Sequence, residues 1–141
     1  MILVINGSPN KNSITLSVAK EVLKYSNEEI KYINSYDIQV DSCDDCKYCH
    51  TKKGCIKRDD MDGIYELLFN ANTLVISSPV YFGGMTDKTM KIINRFQRFF
   101  EQKYSLKDNN IPRFNNLFII SSQGGVNPKM FNAFLDGSKP S

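Results

Sequence analysis

The sequence predicts an α/β protein built on one parallel sheet, with helices on both faces. Two observations lead to this prediction: strand-like apolar runs alternate with stretches of helical periodicity, and the first run, over 1–5, is continuously apolar as in a strand buried on both faces. The chain has 141 residues, of which 41% are apolar, enough for one domain with its own core. We therefore expect a single domain over residues 1–141.

The predicted elements follow one another as β-α-β-α-β-α-β-α. Strands are expected at 1–5, 29–33, 73–78 and 117–122, where short runs are rich in apolar and β-branched residues. Helical spacing of apolar residues predicts helices over 14–25, from an Asp60 cap to about 68, over 86–100 and over 127–135. Between the second strand and the second helix, residues 34–58 form a long irregular segment, and loops of this length in compact domains are usually functional.

Charge and hydropathy exclude several partners. Lys and Arg total 18 against 15 for Asp and Glu, a difference of +3, and the charges are scattered. This pattern gives no support to a nucleic-acid partner, and no apolar run reaches the roughly 20 residues of a membrane span. The first apolar run stops after five residues without a basic leader, so no signal peptide is expected. We expect a cytoplasmic protein whose thiols stay reduced.

The turn after the first strand has the composition of an anion site. Apart from Lys11 and Ile14, residues 6–15 are small, hydroxylated or amide-bearing, and none is a carboxylate. A helix that starts here offers free backbone N–H groups, and Ser8, Ser13 and Thr15 add hydroxyl donors, so a phosphate is a suitable occupant. Neither the Walker loop nor the dinucleotide fingerprint is present. An ordinary strand-to-helix turn with Ser13 as the N-cap remains the alternative.

The loops after the third and fourth strands are also unusual. The first is Ser-Pro-Val-Tyr-Phe-Gly-Gly over 78–84, and the second is Ser-Gln-Gly-Gly over 122–125. In open α/β sheets, ligands bind beyond the carboxyl ends of the strands. A phosphate site, an aromatic wall at Tyr81 and Phe82, and glycine backbone together fit a flat aromatic ligand with a phosphate tail. Core packing of Tyr81 and Phe82 is the alternative.

All the cysteines lie in the irregular segment, at the spacing C-x2-C-x2-C-x5-C. They are Cys43, Cys46, Cys49 and Cys55. Such compact spacing is typical of [4Fe–4S] sites, whereas zinc sites more often pair two C-x2-C units across a longer gap. The alternatives left open are an iron–sulfur cluster, free thiols that help to order the loop, zinc, and a disulfide.

Several segments together resemble the NAD(P)H-dependent FMN reductase family, and most closely its iron–sulfur flavoprotein branch. The segments are 7–9, 13–15, 78–82, the cysteine cluster with 59–61, and 94–95, in register from residue 1 to about 125. The resemblance implies a flavodoxin-like, doubly wound parallel sheet of order 2-1-3-4, with the family's fifth strand missing. The sequence departs from the family at Asn10, where a basic residue is usual, and at Asn94, where Asp is frequent.

The resemblance also implies the binding residues. The FMN phosphate is expected on Ser8, Asn10, Ser13, Ile14 and Thr15. The isoalloxazine ring is expected against Pro79, Val80, Tyr81, Phe82 and Gly83, with Gln123, Gly124 and Gly125 closing the other side. The iron–sulfur branch would place a cluster on the four cysteines. No catalytic acid or base is expected, because hydride transfer needs stacking and orientation while the cofactor supplies the chemistry.

The predicted function is an FMN-dependent oxidoreductase. It would take electrons from NAD(P)H and pass them through FMN to a flavin, a quinone or a partner protein. One alternative is an electron-transfer iron–sulfur flavoprotein, and another is a non-enzymatic flavin- or metal-binding remnant of a truncated gene. An apolar fourth strand left at a sheet edge invites pairing with another chain, so a homodimer or higher oligomer is expected.

Overall fold

The computed structural model of the chain describes residues 1–124 and residue 136. The helix predicted over 127–135 and the predicted ligand residue Gly125 lie outside the described residues.

The described strands form one parallel sheet in the order β2-β1-β3-β4. Their bounds are β1 Ile2–Asn6, β2 Ile30–Asn34, β3 Thr73–Pro79 and β4 Asn116–Ser122. The register aligns Val4 of β1 with Tyr32 on one side and Val75 on the other. Every residue of β1 is buried, as expected for a strand covered on both faces. The predicted fold class and strand order are confirmed.

Helices cover both faces of this sheet. They are α1 Ile14–Leu23, α2 Tyr48–Thr51, α3 Met61–Asn70, α4 Asp87–Asn94 and α5 Gln97–Tyr104. On one face, Ile2, Val4 and Val75 pack against α1. On the other face, Leu3, Ile5, Leu74 and Ile76 pack with apolar residues of α3, α4 and α5. No helix in residues 1–124 is both long and apolar enough to cross a bilayer.

One sequence-based expectation about the helices is wrong, and another is confirmed in position only. The single helix over 86–100 is two helices, because the chain tightens into i→i−3 hydrogen bonds from Arg95 N to Ile92 O (3.1 Å) and from Phe96 N to Ile93 O (2.9 Å). Asp60 occupies the N-cap position of α3, as predicted, but its side chain makes no capping hydrogen bond. It accepts from Gln39 N at 2.7 Å, while Asp59 Oδ1 accepts from Met61 N at 3.0 Å.

Candidate functional site

The loop after β1 is folded by a chain of short-range hydrogen bonds that links four of the predicted phosphate residues. Ser8 Oγ accepts from Asn10 N at 3.1 Å, and Asn10 O accepts from Ser13 N at 3.2 Å. Ser13 Oγ then lies 3.4 Å from Thr15 Oγ1. Ser8, Ser13 and Thr15 are buried, whereas Asn10 is exposed. The structure therefore brings these residues into one continuous turn.

The same turn leaves donors free at the start of α1. Ser13 is the N-cap, as the alternative interpretation of this turn had it, and its Oγ accepts from Leu16 N at 3.2 Å. Within residues 1–124, the backbone N–H groups of Ile14 and Thr15 have no hydrogen-bond acceptor. These N–H groups stand at the positive end of a ten-residue helix, where an anion is stabilised.

Gly7 fastens this turn to the loop after β3. Its carbonyl accepts from Thr86 Oγ1 at 2.6 Å, and its N–H donates to Ser77 O at 2.6 Å. A Cβ on Gly7 would lie 2.2 Å from Thr89 Oγ1 and 2.9 Å from Ser78 Cβ. Only glycine permits so close an approach of the two loops.

The aromatic residues after β3 lie on a tight turn at the carboxyl end of that strand. Tyr81 and Gly84 exchange two backbone hydrogen bonds, of 2.9 and 3.1 Å. Phe82 and Gly83, between them, both have left-handed backbones, with φ of 50° and 79°. The Phe82 side chain is fully exposed and that of Tyr81 about half exposed, so neither packs in the core. A bulky residue held in this strained conformation with its ring in solvent is typical of a binding loop.

The third predicted loop begins beside this turn. Ser122 O accepts from Val80 N at 2.8 Å, which extends the pairing of β3 and β4 by one residue. Gln123 Oε1 is buried and has no hydrogen-bond donor within residues 1–124. Pro79 and Gly83 are half-buried, Val80 is buried and Gly124 is exposed.

The features around the three loops fit FMN. The unpaired N–H groups and hydroxyls of α1 suit a phosphate, the exposed rings suit a planar ring system, and the unpaired Gln123 carbonyl suits a ring N–H donor.

The four cysteines line a second site, a pocket of about 30 Å³ between the 43–57 segment and the α4–α5 junction. All four thiols are free. Burial raises the pKa of the Cys49 thiol, and the nearby Glu101 carboxylate and the thiols of Cys43 and Cys46 raise it further. Four soft sulfur donors on one pocket are the donor set that an iron–sulfur cluster needs. As they stand, however, no three metal-ligating side chains in residues 1–124 are close enough together to share a metal ion.

Contacts of Arg95 and His50 attach the cysteine segment to the rest of the fold. Arg95 holds Asp59 through two hydrogen bonds of 2.7 and 3.2 Å and donates to Asp41 O at 2.9 Å. Burial raises the pKa of the Asp59 carboxyl, but the hydrogen bonds from Arg95 and from backbone N–H groups outweigh it, so this pKa lies below its usual value. At α2, His50 Nε2 lies 3.3 Å from Oε1 of the buried Glu101.

Comparison with known proteins decides the family. The family model described as NADPH-dependent FMN reductase matches residues 1–128. The chain belongs to this family. An iron–sulfur flavoprotein of Archaeoglobus fulgidus is 32% identical over 109 residues, covering 76% of this chain and 54% of that protein. One from Methanocaldococcus jannaschii is 35% identical over 94 residues, covering 64% of this chain and 48% of that protein.

The chain spans about half the length of the iron–sulfur flavoproteins that it matches. Among solved structures, an FMN-dependent NADH-azoreductase from Bacillus anthracis in complex with FMN has a TM-score of 0.63 at 21% identity. That match covers 94% of this chain and 74% of the azoreductase, and at this identity it shows the shared fold alone.

The Asp59–Arg95 ion pair and the arginines that line the cysteine pocket were not predicted from the sequence of this FMN reductase family member. One signal pointed to them: Arg95 and Arg98 interrupt a helical run whose other inward positions are apolar. A charged residue in such a run is paired or placed at a site.

Proposed function

We propose that the chain is an FMN-dependent oxidoreductase that takes electrons from NAD(P)H and passes them to a flavin, a quinone or a partner protein. The observation that carries the proposal is the set of unpaired donors at the start of α1, beside a projecting aromatic turn. Membership of the NADPH-dependent FMN reductase family supports it. A reducing, cytoplasmic location would suit the four free thiols.

Each loop has a binding task in this proposal. The hydroxyls of Ser8, Ser13 and Thr15 and the N–H groups of Ile14 and Thr15 hold the phosphate. Residues 79–83 lie along the ring, and Gln123 accepts a hydrogen bond from the ring edge. FMN held by these loops would supply the hydride-transfer chemistry between the nicotinamide and the acceptor. Tyr81 and Phe82 orient the nicotinamide by stacking, and no side chain needs to move a proton.

An isosteric charge change tests the phosphate site. Asn10→Asp keeps the acceptor that Asn12 N uses (2.9 Å) and places a carboxylate on the exposed side of the loop. We expect FMN to bind roughly tenfold more weakly, because the added charge repels the phosphate dianion. Ser8→Asp and Thr15→Asp should abolish most of the affinity. Asn27→Asp adds the same charge on the exposed turn after α1 and serves as the control.

Fluorescence titration of FMN gives these affinities, and anaerobic addition of NADH or NADPH to the loaded protein should bleach the flavin bands. Equal affinities for wild type, Asn10→Asp and Thr15→Asp would contradict the phosphate site. Bound flavin that neither nicotinamide reduces would contradict the oxidoreductase.

We propose as a second function that the chain transfers electrons through an iron–sulfur cluster on Cys43, Cys46, Cys49 and Cys55. The specific observation is that all four thiols line one pocket. Anaerobic reconstitution should load iron and sulfide and give a broad absorbance band near 400 nm. Replacing any one cysteine by serine should reduce the loading, whereas Thr51→Ser in the same segment should not. Wild-type protein without iron or sulfide after reconstitution would show that the thiols have another role.

A further inference from the structure

A row of polar side chains crosses the sheet where three strands end. The register places Asn6 of β1 beside Asn34 of β2 on one side and beside Ser77 of β3 on the other. Asn6 and Ser77 are completely buried, although Val4 and Val75, two positions earlier on the same face, are apolar core residues. Buried polar groups are costly unless they are hydrogen-bonded, so this row indicates a task that apolar side chains could not perform.

The side-chain amide of Asn6 is oriented by partners on both sides. Its Nδ2 donates to Asn34 Oδ1 at 3.0 Å, while its Oδ1 accepts from Ser8 N at 3.2 Å and lies 3.5 Å from Ser77 Oγ. The reversed amide would set Nδ2 against the Ser8 N–H, a donor against a donor, so only one orientation satisfies these neighbours. Asn6 therefore fastens Ser8, the first of the proposed phosphate residues, to the end of the sheet.

This contact leaves the Ser8 hydroxyl ready to donate. Ser8 Oγ accepts from Asn10 N at 3.1 Å, and within residues 1–124 its own hydrogen has no acceptor. The Ser8 N–H, in contrast, is already used by Asn6 and does not serve an anion. Because Asn6 fixes the backbone of Ser8, it also fixes where that buried hydroxyl lies relative to the free N–H groups of Ile14 and Thr15.

We propose that Asn6 is a positioning residue for the phosphate of FMN: it holds Ser8 so that the Ser8 hydroxyl donates to the phosphate, and Asn34 in turn holds Asn6. This inference rests on the proposed FMN site. Asn6 acts through Ser8 and needs no contact with FMN. Its neutral amide oxygen suits the task, because a carboxylate in the same place would accept from Ser8 N equally well but would repel the phosphate dianion.

Riboflavin separates a phosphate effect from a general one, since it has the ring system and side chain of FMN but lacks the phosphate. Asn6→Ala removes the acceptor of the Ser8 N–H, whereas Asn34→Ala leaves that acceptor in place and removes its support. Asn72→Ala is the matched control, since it removes side-chain hydrogen bonds at the opposite end of the sheet, just before β3. Flavin fluorescence titration gives the FMN and riboflavin affinities of each protein, and urea unfolding shows whether it is folded.

We expect Asn6→Ala to bind FMN about tenfold more weakly, as the loss of one hydrogen bond to a charged group implies, and to bind riboflavin within about twofold of wild type. Asn34→Ala should weaken FMN binding by less, and Asn72→Ala should change neither affinity. Wild-type FMN affinity in Asn6→Ala, or equal losses for FMN and riboflavin, would overturn the inference alone. If Asn6→Ala is unfolded, Asn34→Ala decides, and a wild-type ratio of FMN to riboflavin affinity there overturns the inference. Wild-type protein that binds no FMN would overturn the proposed function and this inference together.

Discussion

At the scale of single residues, the proposed phosphate site depends on the absence of a side chain at Gly7. The absent side chain lets the first loop touch Ser78 and Thr89, so that two loops from neighbouring strands meet. The Thr86 hydroxyl closes the contact by donating to the Gly7 carbonyl at 2.6 Å.

Replacing Gly7 by alanine is therefore expected to destabilise the fold. The new methyl group overlaps Thr89 Oγ1, and overpacking of this kind costs about 1–3 kcal/mol. The free energy of unfolding in urea measures the loss. Gly63→Ala is the control, because a Cβ there meets nothing within 4 Å, and we expect it to stabilise α3 by roughly 0.5–1 kcal/mol. Equal stabilities of wild type and Gly7→Ala would show that the loops can separate without cost.

At the scale of elements, the Asp59–Arg95 pair joins three parts of the chain. Asp59 precedes α3, Arg95 ends α4, and Asp41 lies in the cysteine segment that Arg95 also binds. Both side chains of the pair are almost fully buried. Removing one partner would leave a buried charge without compensation.

We expect Asp59→Asn to lower the free energy of unfolding by about 3–5 kcal/mol at neutral pH. Because folding lowers the pKa of Asp59, its contribution is complete above the unfolded pKa of about 4 and disappears as the pH falls through the folded pKa. The difference in the free energy of unfolding between wild type and Asp59→Asn should therefore become smaller at acid pH. Urea unfolding between neutral pH and pH 3 measures it. Glu21→Gln, which breaks an exposed pair with Lys24, should change stability by less than about 1 kcal/mol. If the free energies of unfolding of wild type and Asp59→Asn differ by the same amount from neutral pH to pH 3, the stabilisation does not come from the ionised Asp59 carboxylate.

The same elements show how far sequence alone reaches. The strands were predictable, because short apolar runs alternate with helical periodicity, and their order was implied by the family resemblance. The break between α4 and α5 was not, because Met90, Ile93, Phe96 and Phe100 keep helical spacing across it. At the break, Arg95 contacts the carboxylate of Asp59, which lies 36 positions earlier in the chain. Composition likewise indicated an anion loop, but the close approach at Gly7 depends on residues from β3 and α4.

At the scale of the whole molecule, β4 is an outer strand within residues 1–124, paired with β3 alone there. Its Leu117 and Phe118 side chains are 43% and 52% exposed. An exposed apolar edge strand favours pairing with another chain. We therefore propose a homodimer or higher oligomer formed through this side of the sheet.

Light scattering at micromolar concentration should give at least twice the monomer mass. Phe118→Lys should weaken the association, because it places a charge on the pairing strand, whereas Val22→Lys on the exposed side of α1 should leave it unchanged. A monomeric wild type with amide protons of residues 117–122 protected from exchange would contradict the proposal.

The helix α4 connects the two candidate sites, and this limits how the cysteine segment could be moved to another protein. Thr86 at its start binds the Gly7 carbonyl, and Arg95 at its end binds Asp41 and Asp59. Eight helical residues span about 12 Å, so one short element positions both ends. A transplant of residues 41–59 into a related flavoprotein would lack its attachment unless the recipient helix also ended in arginine. In protein engineering, the smallest unit to transfer is therefore the segment together with this helix.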